Sequence, residues 1–136
     1  MRTLFADTFY WVALINPADD WYSRVLNVSS SLGQIQLVTT DEVLTEVLTF
    51  YSEAGSRMRQ RTVAFVDNVL SNTTIQVIQQ THDSFLSGLK LYRDRLDKGY
   101  SLTDCISMNT MQNLSITEVL THDQHFVQEG FMILFK

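Results

Sequence analysis

Thr3-Leu4-Phe5-Ala6-Asp7 is the stretch on which the fold turns. The run is β-like but lacks the polar alternation of a surface strand, which suits a strand covered on both faces in the middle of a parallel sheet. A carboxylate closes it. An acid at the end of a buried strand has little structural reason to be there unless something beyond the strand binds it.

Working outward, four more short apolar runs read as strands, at residues 35–38, 75–78, 116–120 and 132–135. The run at 75–78 alternates, as an edge strand does. Helical patterns fill the intervals. The first, over 8–15, carries Trp11, Leu14 and Ile15 and stops at Asn16-Pro17, and the second, over 20–31, ends before Gly33. Thr39-Thr40-Asp41-Glu42 opens a third with capping-box spacing from Thr39 to Glu42, and Val43, Leu44, Val47, Leu48 and Phe50 form its expected buried side. A fourth spans 56–70 with Val63, Phe65, Val66, Val69 and Leu70. Thr81 caps a fifth, to about residue 96, with Phe85, Leu86, Leu89, Tyr92 and Leu96 on its core side. After the Gly99 turn, Ser101 and Asp104 repeat the capping-box spacing at the start of a sixth. Alternation of strands and helices predicts an α/β domain with a central parallel sheet of about five strands and helices on both faces, wound right-handed.

The 136 residues, 45% of them hydrophobic, fit one domain over 1–136. A net charge of −5 argues against a broadly basic, phosphate-gripping surface. Cys105 is the only cysteine, so no internal disulfide forms and a reducing compartment, the cytoplasm, is expected. Asp7 interrupts the apolar N-terminal region and no cleavage site follows, so no signal peptide is read. No apolar run approaches the roughly 20 residues of a membrane span.

Ligands of open parallel sheets bind beyond the carboxyl ends of the strands, where strand order reverses. Asp7 ends the first strand and Asp123 follows the fourth, while Glu46 and Asp104 sit in early turns of helices able to face the same crevice. Alone, Asp104 reads as a cap. Four carboxylates in one crevice would repel one another, which either raises their pKa values or brings in cations. Oxygen-only ligands suit Mg2+ or Mn2+, ions that orient water, lower its pKa and stabilise charge on a phosphate under in-line attack. Phosphodiester hydrolysis is the chemistry this favours.

With Leu-Phe-Ala-Asp7-Thr at the first strand, Thr-Thr-Asp-Glu-Val-Leu-Thr-Glu46-Val-Leu after the second, Asp-Lys-Gly-Tyr-Ser-Leu-Thr-Asp104 before a helix and Thr121-His-Asp123-Gln-His-Phe126 after the fourth, the chain resembles the PIN domains, metal-dependent nucleases that include the VapC-type toxin ribonucleases. The resemblance spans essentially the whole chain. It implies a three-layer domain and an Mg2+- or Mn2+-dependent endoribonuclease, the toxin of a toxin–antitoxin pair, with Asp7, Glu46, Asp104 and Asp123 as metal-binding and catalytic acids. Thr8 and Thr121 match hydroxyl positions beside those acids, where they would orient water or phosphate. RNA as substrate, an antitoxin whose segment blocks the crevice, and a homodimer are likewise implied. Phe9 stands where the family often has a small polar residue and Thr49 where Asn is common, departures that leave every carboxylate in place.

Other residues compete. Glu42 rivals Glu46 but has a sufficient explanation as the cap partner of Thr39, and Asp97, beside Lys98, reads as solvated. His122 and His125 invite a zinc reading for which the chain has too few further nitrogen or sulfur ligands. Arg57, Arg59 and Arg61 either grip a nucleic-acid backbone or form a solvated helix start. Phe9, Tyr10 and Trp11 read as core or interface. The acidic balance also sustains an alternative, a PIN-fold binding module for protein or RNA in which cleavage is weak or lost.

Overall fold

The computed structural model describes all residues, Met1–Lys136. In chain order these form β1 (Arg2–Ala6), α1 (Thr8–Ile15), α2 (Tyr22–Ser31), β2 (Ile35–Thr40), α3 (Asp41–Phe50), α4 (Ser56–Ser71), β3 (Ile75–Ile78), α5 (His82–Asp94), α6 (Leu102–Asn113), β4 (Glu118–Leu120), α7 (Gln124–Gln128) and β5 (Met132–Ile133). Five strands make one all-parallel sheet in the order β3-β2-β1-β4-β5. β1 is the middle strand. Leu4, Phe5 and Ala6 are completely inaccessible, and since successive side chains point to opposite faces, helices must cover both sides of the sheet. The fold is thus α/β.

The register places the ends of the central strands together. Phe5 is opposite Val38 of β2 on one side and Val119 of β4 on the other. The chain steps outward from β1 through β2 to the β3 edge, then returns through α5 and α6 to β4 on the far side of β1. Strand order therefore reverses between β1 and β4, and the crevice for a ligand lies beyond the carboxyl ends of these two strands.

Several local expectations change. Thr40, not Thr39, is the N-cap of α3: its Oγ1 accepts from the Val43 amide at 3.1 Å, because β2 continues to Thr40. The buried Thr39 instead donates to the Ala6 carbonyl at 2.9 Å and accepts from Trp11 Nε1 at 3.3 Å, tying β1, β2 and α1 together. Leu48, Phe50, Val63 and Leu70 are exposed, as are Phe85, Leu86, Tyr92 and Leu96 of the α5 region. Only Gly88 of α5 is buried, where an added Cβ would lie 2.5 Å from Ile106 Cγ1 of α6. The close approach of α5 to α6 runs through that glycine, while Phe85, Leu86 and Tyr92 stay in solvent. The turn of helix α7 was not expected from the sequence.

Candidate active site

Asp7, one residue past β1, is 5% exposed. The hydroxyl of Thr121, just past β4, donates to Asp7 Oδ2 at 2.8 Å and accepts from the Asp123 amide at 3.2 Å. Asp123 Oδ1 in turn accepts from the His125 amide at 2.9 Å, capping α7. On the other flank, Thr8 Oγ1 donates to Glu46 Oε1 at 2.6 Å. The two threonine hydroxyls thus hold acids, Thr121 on Asp7 and Thr8 on Glu46, where orienting water or phosphate was expected of them. Asp104 does double service. It completes a reciprocal capping box with Ser101, each amide donating to the other's side chain at 3.0 Å, and its carboxylate is nevertheless buried toward the other acids.

Electrostatics join the four. Burial is the main force pushing Asp7 up to about 7; Asp104 and Glu46 add to it, against the hydrogen bonds from Thr121 and the Thr8 amide. Asp104 is also raised, chiefly by burial, with Asp123 and Glu46 adding and the Ser101 amide and His125 opposing. Asp7 thus feels Asp104 and Glu46, and Asp104 feels Asp123 and Glu46. No lysine or arginine forms an ion pair with any of them; the basic partner is His125, whose Nδ1 lies 3.3 Å from Asp123 Oδ1 and 3.6 Å from Asp104 Oδ2. Buried acids left without a fixed cation, and offering oxygen donors, fit a hard divalent ion. Asp104, Asp123 and His125 in particular present donor atoms within 4.8 Å of one another.

No protein-family model matches the sequence, and no curated protein matches it. Among solved structures, the Mycobacterium tuberculosis toxin VapC20, described as cleaving the sarcin–ricin loop, superposes with a TM-score of 0.84 at 22% identity over 95% of this chain and 96% of that one. VapBC2 from Rickettsia felis, solved on a DNA fragment from its promoter, gives 0.65 at 16% identity over 96% of each chain. The chain has the fold of a VapC-type PIN domain. At these identities the likeness speaks for the fold alone.

Within this PIN-type fold, the rival residues lie elsewhere. Glu42 faces the start of α5, where Ser84 Oγ donates to its Oε2 at 3.4 Å, so it lies apart for a reason other than a cap with Thr39. Asp97 is 75% exposed and 3.6 Å from Lys98 Nζ. His122 Nδ1 sits 2.8 Å from the Phe135 carbonyl, its ring against Phe9 and Trp21. Arg61 donates to the Ile15 carbonyl and Arg59 to that of Ser52, so two of the three α4 arginines tie down backbone. A cavity of about 790 Å3 between α3 and α4 contains none of the four acids. His125 is the member that the sequence offered only as a weak zinc candidate. Its lone signal was a position two residues after Asp123, since its other acidic neighbour comes from another helix.

Proposed function

We propose that this chain is a divalent-metal-dependent endoribonuclease, the toxin of a toxin–antitoxin pair, with Asp7, Glu46, Asp104 and Asp123 as its acidic site. One observation carries the reading: Asp7 and Asp104 are buried, Asp7 feeling Asp104 and Glu46 and Asp104 feeling Asp123 and Glu46, and no lysine or arginine pairs with any of the four. The likeness to VapC20, a sarcin–ricin-loop-cleaving toxin by its description, favours RNA over other phosphodiesters. A Mg2+ or Mn2+ ion bound there would supply positive charge to the phosphate and acidify a water. Thr121 and Thr8 fix the orientations of Asp7 and Glu46. The Ser101 box fixes Asp104, so the carboxylates are pre-set before a ligand arrives. Because Asp7 is raised to about 7, filling the site at neutral pH displaces a proton from the acid cluster. The exposed apolar residues of α5, Phe85, Leu86 and Tyr92, offer surface for a second copy or an antitoxin.

The absence of lysine and arginine from the acids also favours a second reading, a PIN-fold binding module with little cleavage, because a nuclease must attract a polyanion to this place. Incubating the purified protein with varied RNA pools in Mg2+ and in Mn2+ separates the two. The ribonuclease reading expects endonucleolytic products that fall at least about a hundredfold in Asp7→Asn and Asp104→Asn, beyond the roughly 10–100-fold typical of residues merely backing a ligand. Retention of RNA or protein with no products from wild type would establish the binding module instead.

A further inference from the structure

We propose that His125 is itself a ligand of the cation in this crevice, and that its ring nitrogen makes the site prefer Mn2+-class ions to Mg2+. This rests on the reading that the acids bind a metal, and it extends that reading from acids alone to a mixed nitrogen and oxygen set.

His125 Nδ1 is buried yet makes no hydrogen bond, although carboxylate oxygens of Asp123 and Asp104 lie 3.3 and 3.6 Å away. Two donors each about 2.1 Å from a common ion stand roughly 3.0 Å apart at an octahedral angle and roughly 3.4 Å apart at a tetrahedral one. The 3.3 Å gap lies between those two spacings and the 3.6 Å gap just beyond them, so an ion shared by the three groups would draw the longer pair slightly together. The ring is also held from its other side. A Cβ on Gly99 would come 3.1 Å from His125 Nε2 and 3.4 Å from Cε1, and Gly99 is not among the glycines with positive φ, so room for the imidazole explains it where backbone conformation does not. The turn bearing Gly99 is latched to the end of α7: Tyr100 Oη donates to Glu129 Oε1 at 3.0 Å, and Arg95 forks onto both Glu129 oxygens at 3.0 Å. Nε2 faces this wall while Nδ1 faces the acids. Mn2+ opens the first-row series whose ions bind mixed nitrogen and oxygen sites, whereas Mg2+ demands near-ideal oxygen coordination and keeps its waters. The remaining histidines are engaged elsewhere, His122 with the Phe135 carbonyl and His82 stacked on Phe85.

Titration calorimetry with Mn2+ and with Mg2+, on wild type, His125→Ala, His125→Gln and Asp104→Asn, tests this without any substrate. Mn2+ affinity is expected to fall about tenfold or more in His125→Ala and His125→Gln while Mg2+ affinity moves less than about threefold, and Asp104→Asn should weaken both ions. Electron-spin-echo spectra of the Mn2+-loaded wild type should carry nitrogen modulation that disappears in His125→Gln; this nearly isosteric variant carries the comparison if the alanine variant melts early. Wild type without nitrogen modulation, or His125 variants that shift both ions by one common factor, would overturn the proposal. If Asp104→Asn loses both ions and the His125 variants lose neither, His125 alone leaves the site. If wild type binds neither ion, the metal-dependent reading falls and this proposal with it.

Discussion

The two ends of the β1–β4 pair treat charge in opposite ways. At the amino end, Arg2 Nε and Nη2 fork onto Glu118 at 2.9 and 2.7 Å, in contact with solvent. At the carboxyl end, Asp7 and Asp104 are buried among acids and no arginine or lysine answers them. One end is complete within the chain. The other carries an electrostatic cost that hydrogen bonds and His125 offset only in part, and a folded protein keeps such a cost where it serves a ligand.

The strongest way to break this comparison is to titrate it. Asp7 has an ordinary unfolded pKa near 4 and a folded value near 7, so its folded pKa is raised. The stability tied to its protonated form is complete below about pH 4 and is lost as pH rises through 7. Asp104 shifts in the same direction, whereas Glu118 and Glu129 are lowered and act only at more acidic pH. Metal-free protein should therefore melt higher at pH 5.5 than at pH 8, by a margin on the order of a few kcal/mol. Asp7→Asn should flatten that slope; an unchanged slope would show that burial at Asp7 is relieved in solution.

Metal sharpens the contrast by a somewhat smaller amount. By mass action, Mn2+ at about 100 times its dissociation constant adds roughly 2.7 kcal/mol, several degrees of melting temperature for a domain of this size. Calorimetric scans in EDTA and then in Mn2+ should show that rise in wild type and a reduced one in Asp104→Asn. The metal-free variant should melt at or above wild type, because an amide at position 104 removes repulsion while its oxygen can still accept from the Ser101 amide. Equal metal responses in the two proteins would leave Asp104 as a helix cap only. The smallest effect belongs to the other end. Arg2→Ala should cost under about 1 kcal/mol, as exposed pairs do, with a metal response identical to wild type.

What was legible in the sequence follows from how locally each feature is determined. An unbroken apolar run closed by an acid has few places to go, and the placement of β1 at the sheet centre and of Asp7 at its end could be read from five residues. The Ser101 box is a four-residue pattern and appears as written. The Thr39 box failed by one residue: two adjacent threonines can each cap, and the choice depends on β2 pairing as far as Ile78 of β3, a long-range matter. Periodicity showed that α3, α4 and α5 have apolar residues at helical spacing, but it says nothing of whether this chain covers them; Phe50, Leu70 and Phe85 remain exposed. Helix α7, with five residues, is too short for a period to declare itself. His125 looked isolated because its companions are carboxylates, and one of them reaches it only through the packing of α6.

The bond between Thr121 and Asp7 spans 114 residues of chain. Synthesis runs from the amino end, so Asp7 and Glu46 exist long before Thr121, Asp123 and His125 have been added, and until β4 docks beside β1 nothing aligns the early acids with the late ones. The crevice therefore forms only after the residues of β4 and α7 have been made and β4 has docked.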